Sequence, residues 1–198
     1  QLLDRMSYQR FCGLSQAVNI PDRTTIWVFE NRIGTAGAQA LFDGVSAQLL
    51  KRGYIARGGQ IIDATLVPAP KQHLGRKEKD LVQQHAMPTD WTPAKRRQKD
   101  IDATWTSKHG KSYFGYKLSV SVDLKHGFIR RIATGTASEH DGHHFDEVLD
   151  MHNTGRSVHT DKAYASRQRR QMLQVLGFVD AMQRRAQPGQ PLSECQKR

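Results

Sequence analysis

The chain has 198 residues and carries 30 Lys and Arg against 19 Asp and Glu, a formal net charge of +11, so a polyanionic partner is the default expectation and nucleic acid ranks above a membrane surface. No apolar run is long enough to span a bilayer, no signal peptide opens the chain, and no basic amphipathic helix with a strong apolar face is evident, which excludes the membrane classes. The two cysteines, Cys12 and Cys195, lie near opposite ends without metal-ligand spacing, and this fits a reducing, cytoplasmic setting.

Residues 1–54 read as a small helical region. Leu3, Met6 and Phe11 share one face of a first helix that Gly13 ends. A second helix spans Asp22–Ile33, with Asp22 or Thr24 as N-cap and Gly34 as its stop. Its apolar face is Ile26, Phe29 and Ile33, which leaves Arg23, Trp27, Glu30 and Arg32 toward solvent. A third helix, Ala36–Arg52, repeats Leu41, Val45 and Leu49 at helical spacing. Such a trio suits a DNA-binding head, in which Arg23 and Arg32 would meet phosphates, or a bundle that only packs on the next domain. The residues do not separate the two.

The next domain, 55–198, opens with Gln60–Pro70, a short strand with Ile61, Ile62, Leu66 and Val67, stopped by Pro68 and Pro70. Asp63 sits in its middle. A carboxylate in a buried strand is costly unless it is paired or holds a metal, the alternative being a strand-end Asp that caps a turn. Residues Lys71–Lys111 read as a polar, basic insertion whose densest charge is Lys95-Arg96-Arg97 with Lys99; it is either a solvated loop or a phosphate-contacting one. Lys108-His109-Gly110-Lys111 reads as the entry to a hairpin. Ser112–Val122 is the clearest strand, with Tyr116, Leu118, Val120 and Val122 alternating with Gly115, Lys117, Ser119 and Ser121. A return strand at Phe128–Ala137, a helix capped by Asp141, and a fourth strand at Ser157–Thr160 follow. That strand ends on Asp161 and a Lys-Ala-Tyr turn. A helix over Ala165–Leu176, stopped by Gly177, and a fifth strand at Phe178–Met182 complete the order. Three antiparallel strands followed by α/β units predict a ribonuclease-H-like fold, a mixed α/β sheet with flanking helices behind a small helical N-terminal region.

Other residues compete for attention. Asp102 repeats the Asp-Ala-Thr triplet of Asp63, but its polar neighbours assign it to a loop. His140, Asp141, His143 and His144 resemble a zinc set, yet no paired ligands occur elsewhere, so capping and solvent exposure are the better assignment. Arg167, Arg169, Arg170, Arg184, Arg185, Lys197 and Arg198 face few acids and are expected to meet phosphates. Lys162 and Tyr164 either position DNA or shape their turn. No Ser-His-Asp or Cys-His arrangement is present.

Taken in order, Pro21-Asp22-Arg23-Thr24-Thr25-Ile26-Trp27 with Phe29, Ile62-Asp63-Ala64-Thr65, Lys99-Asp100-Ile101-Asp102-Ala103, Trp105, Lys108, Tyr113–Lys117 and His159-Thr160-Asp161-Lys162-Ala163-Tyr164 resemble the DDE transposases of bacterial insertion sequences, specifically the insertion-sequence-five group. The resemblance implies a metal-dependent DNA-cleaving and strand-transferring enzyme, cytoplasmic and nucleoid-associated. Its partners would be double-stranded DNA, as transposon ends and target, and further copies of itself on DNA. It implies Asp63 and Asp161 as catalytic acids holding Mg2+ or Mn2+, with two ions roughly 3.5–4 Å apart clamping the attacking and leaving oxygens. Lys95, Arg96, Arg97, Lys108, Lys111, Lys117 and Lys162, with Arg23 and Arg32, are the expected DNA contacts. The family's third acid, a Glu on a later helix, falls beyond Arg198, and Glu194 belongs to the segment before it. The expectation is therefore a truncated gene copy or a fragmentary gene model, whose 198 residues do not by themselves carry out strand transfer. A non-catalytic basic nucleic-acid-binding protein, with Asp63 and Asp161 structural, is the alternative.

Overall fold

The computed structural model describes residues 4–54, 56–84, 86–184, 186, 189, 191 and 193. Leu3, Arg185, Glu194, Cys195, Lys197 and Arg198, all singled out above, lie outside the described residues. The chain divides into two compact units, Gln1–Tyr54 and Ile55–Arg198.

The first unit is helical. Helix α1 spans Met6–Phe11 and α2 spans Arg23–Lys51. The Asp22 carboxylate caps α2, accepting from the Thr25 amide (2.7 Å) and hydroxyl (2.6 Å). The backbone leaves helical geometry at Gly34 (φ 59°, ψ −168°), a conformation open to glycine, so two helical halves meet there. No residue of either helix is buried. Ile26, Phe29, Leu41 and Val45, expected to pack inward, are all exposed.

The second unit is built on a six-stranded sheet. Its elements in order are β1 (Gln60–Pro68), α3 (Arg76–Gln83), α4 (Pro93–Gln98), β2 (Thr104–Lys108), β3 (Lys111–Asp123), β4 (Ile129–Thr136), a 3-10 turn at Asp141–His144, α5 (Phe145–Val148), β5 (Ser157–Thr160), α6 (Arg167–Val175) and β6 (Val179–Asp180). Strand β3 pairs antiparallel with β1, β2 and β4, while β5 pairs parallel with β1 and β6 parallel with β5. This mixed sheet with its helices is the ribonuclease-H-like arrangement the element order predicts. Ile62, Ala133, Phe145, Val148, Val158, Tyr164, Leu173 and Phe178 form its core.

Several local expectations change. The basic insertion is not structureless: it holds α3, α4 and β2. Glu78 ties it together by accepting from the Gly75 amide (2.8 Å), the Trp91 indole (2.7 Å) and the Lys95 ammonium (2.5 Å). His109 and Gly110 form the turn between β2 and β3, both at positive φ (53° and 73°), as a two-residue hairpin requires. Asp141 does not cap a helix; the His140 ring nitrogen does so, accepting from the Gly142 amide at 3.1 Å. Helix α6 begins later than expected, behind Ser166, whose hydroxyl accepts from the Arg169 amide at 3.1 Å.

Along β3 from Gly115 the sheet buries the polar alternates more deeply than the apolar ones. In β3 the buried residues are Phe114, Gly115, Lys117, Ser119, Ser121 and Asp123, and from Tyr116 onward the apolar alternates are half-buried. Gln60 accounts for Ser121, since its amide meets the Ser121 hydroxyl at 2.9 Å and both backbone groups of Asp150, and the Asp123 carboxylate accepts from the His126 and Phe128 amides. Polar groups satisfied in this way are buried at little cost. The opposite face of the sheet leaves Ile61, Val67, Ile129 and Val179 exposed, and Asp63 lies on it.

Candidate active site

Parallel pairing sets Ile61 beside His159 and Ile62 beside Thr160. The next residues along the two strands are Asp63 and Asp161. Ile62 and Thr160 are buried whereas Asp63 and Asp161 are exposed, so alternation puts both carboxylates on the open side of adjacent strands. Asp63 is thus not a buried charge. It costs nothing in desolvation, and its position rather than its burial is the informative feature. Each acid is oriented by a neighbouring amide: Asp63 Oδ1 accepts from Ala64 and Asp161 Oδ1 from Ala163, both at 2.8 Å. Neither is ion-paired among the described residues.

A third carboxylate approaches from the other side of the sheet. Burial raises the Tyr164 hydroxyl above the ordinary tyrosine value, and the negative charges of Asp141, Asp63 and Asp161 push it the same way, with Arg169 opposing. All three acids therefore lie within electrostatic reach of one buried tyrosine, which packs on Phe145 with ring centroids 6.2 Å apart. Asp141 is not free, since it pairs with the Lys117 ammonium at 2.6 Å, and that ammonium also donates to the Glu139 carbonyl. The Glu139 carboxyl is held below its ordinary value, chiefly by the Thr136 amide and further by His144. A recess of about 220 Å³ opens beside this pair, with Thr65, Thr106, Ser107 and Lys108 in its walls.

Asp63 and Asp161 offer hard oxygen donors, the type that Mg2+ and Mn2+ prefer, and each keeps one carboxylate oxygen out of the described hydrogen bonds. They fit a divalent cation as two of its ligands. No group of three or more His, Cys, Asp or Glu among the described residues is placed to hold a metal. His140 and His144 are spent on Gly142, Glu139 and Glu147. Asp102 is an exposed loop residue whose amide donates to Asp100.

The basic residues divide into braces and open cations. Lys117 is a brace, buried in the Asp141 pair and turned away from solvent, which removes the basis for counting it among phosphate contacts. Lys95 pairs with Glu78, and Arg96 donates to the Trp91 carbonyl (3.1 Å) and the Thr89 carbonyl (3.4 Å). Arg169 is hydrogen-bonded to the Tyr164 and Gly142 carbonyls, and Arg170 pairs with Asp180 at 3.2 Å. Arg97, Lys108, Lys111 and Lys162 are exposed, as are Arg23 and Arg32 in the helical unit. Sequence reasoning missed the Lys117–Asp141 pair and the Arg169 bonds because these partners lie 24 and up to 27 positions apart, with no periodicity to join them.

A family model described as a transposase DDE domain matches residues 56–198. No solved structure matches the chain.

Proposed function

The chain belongs to the transposase DDE-domain family, and from that premise we propose that it is a DNA transposase whose Asp63 and Asp161 hold Mg2+ or Mn2+ for cleavage and transfer of DNA strands. The observation that carries this reading is the parallel register of β1 and β5, which ends at Ile62 and Thr160, one residue before each acid. When bound, a divalent cation supplies positive charge against the negative charge gathering on a phosphodiester under in-line attack. The protein's share is positional. The Ala64 and Ala163 amides turn the carboxylates, and the core beneath Ile62 and Thr160 keeps their strands in register.

Duplex DNA, as transposon ends and target, is the partner this reading implies. Arg97, Lys108, Lys111 and Lys162 meet its phosphates in the second unit, and Arg23 and Arg32 meet them in the helical one. The protein acts as a homo-oligomer on DNA and belongs to the insertion-sequence-five group by its ordered motifs. The test is Mn2+ titration alongside duplex binding. Asp63→Asn and Asp161→Asn should each weaken Mn2+ binding at least tenfold and leave duplex affinity within about twofold, because metal ligands and phosphate contacts are separate groups. Unchanged Mn2+ binding in both variants refutes the site.

A further inference from the structure

Arg169 lies one helical turn into α6, behind the Ser166 cap, and its guanidinium reaches back across two segments. Nη1 donates to the Tyr164 carbonyl at 2.8 Å, and Nη2 donates to the Gly142 carbonyl at 2.5 Å. The same guanidinium lies 5.3 Å from the centre of the Phe145 ring. One planar fork therefore joins the turn that follows Asp161 to the 3-10 turn that begins with Asp141. The buried Tyr164 ring anchors the far end of the turn after Asp161, and the Thr160 hydroxyl donates to the Asp161 carbonyl at 3.0 Å, but the backbone bonds within the turn are weak. Tyr164 and Ala165 donate to the Asp161 and Lys162 carbonyls at 3.3 Å, long for such bonds, and Ala163 donates to the Asp161 carboxylate.

Gly142 is the second half of this arrangement. A Cβ added there would lie 2.5, 2.7 and 2.9 Å from Nη2, Nη1 and Cζ of Arg169. The guanidinium occupies the space that any side chain at 142 would need. A lysine at 169 would carry one ammonium where the fork now reaches two carbonyls in fixed directions.

We propose that Arg169, seated against Gly142, is a positioning residue that fixes the Asp161 turn and with it the orientation of the Asp161 carboxylate. The inference rests on Asp161 being a metal-holding acid, as proposed above. Groups that orient a metal-holding side chain commonly change affinity by tenfold or more when removed.

The experiment compares the 198-residue chain with Arg169→Lys, Gly142→Ala, and the pair Gly142→Ala/Arg169→Ala, following amide hydrogen exchange and Mn2+ titration on each. Arg169→Lys and Gly142→Ala should each speed exchange at Tyr164 and Ala165 at least tenfold, with Val158 in β5 unchanged. Each should also weaken Mn2+ binding by about tenfold. Gly142→Ala should add nothing to Arg169→Ala, because the methyl clashes only with the guanidinium. Should Arg169→Ala lose cooperative unfolding, Arg169→Gln takes its place in the pair. Variants that melt earlier but keep exchange at Tyr164 and Mn2+ affinity overturn the proposal and make Arg169 a stabilising contact only. Absence of any Asp161-dependent Mn2+ binding in the unaltered chain overturns the metal reading itself, a result that exchange at Tyr164 and Ala165 does not depend on.

Discussion

The Lys117–Asp141 pair predicts a lopsided response to mutation. The Lys117 side chain is 10% exposed and that of Asp141 is 32% exposed, with their charged atoms 2.6 Å apart. Asp141→Asn leaves an ammonium enclosed with the Glu139 carbonyl and no counter-charge. Removing one partner of a fully buried pair costs about 3–5 kcal/mol, and partial hydration at Asp141 lowers that to about 2–3 kcal/mol. Lys117→Met instead fills the same channel with an apolar stem of similar length, while the exposed side of Asp141 recovers water, so its cost is at most about 1.5 kcal/mol. Asp141→Asn should thus lower the melting temperature by roughly 4–10 °C and Lys117→Met by at most about 5 °C. Urea unfolding with matched slopes gives the free energies, and duplex binding is measured in parallel. The decisive refutation is a Lys117→Met protein of unchanged stability whose DNA affinity falls and whose log–log salt slope shrinks by about one. That would make Lys117 a phosphate contact, as its place in the strand sequence suggests.

Acid should loosen the α3–α4 insertion first. Hydrogen bonds from Lys95, then the Gly75 amide and the Trp91 indole, pull the Glu78 carboxyl from 4.5 to about 2. The folded value is the lower one, so this contribution is complete above about pH 4.5 and is lost as pH falls toward 2; Trp91 emission should report it, and Glu78→Gln should remove the acid-dependent change. Tyr116 donates to Asp100 at 2.6 Å, and Asp100 also accepts from the Asp102 and Ala103 amides, so Tyr116→Phe should cost about 1–2 kcal/mol in urea unfolding. Duplex binding through Arg97, Lys108, Lys111 and Lys162 with Arg23 and Arg32 should show a log–log salt slope of about −5.4, and Lys108→Ala should reduce it by about 0.9, measured by fluorescence anisotropy across salt concentrations.

What could be read in the chain followed from local rules. Strand alternation, proline stops and glycine breaks located β1, β3, β4, β5 and the break at Gly34, and the order of those elements was enough for the sheet. What could not be read depended on pairing at long range. The hydrophobic alternation in Tyr116–Val122 does not mark the buried face, because Gln60, itself held by the Asp150 backbone, satisfies Ser121 on the polar one. Likewise Lys117, Lys95 and Arg169 look like free cations in sequence, and only the approach of Asp141, Glu78 and two carbonyls shows them to be braces.

The choice of buried face also bears on how the two acids are held. If Asp63 lay on the core face, its charge would need a buried partner, and pairing would spend the carboxylate that a metal requires. On the open face it needs none. The opposite side of the same two strands carries Ile62, Val158 and Thr160, packed under Phe145, Val148, Tyr164 and Leu173. Rigidity and availability are thus divided between the faces of one sheet: packing below fixes strand register, and register above sets the relation between the carboxylates. Leu173→Ala, which opens a cavity in the core and touches neither acid directly, should therefore weaken Mn2+ binding along with stability, by about 2–5 kcal/mol for the latter. Conversely, Ile61→Thr on the open face should leave the fold nearly unaffected. If the core substitution destabilises the unit and leaves Mn2+ affinity intact, strand register is not what positions Asp63 and Asp161, and their local amide contacts suffice.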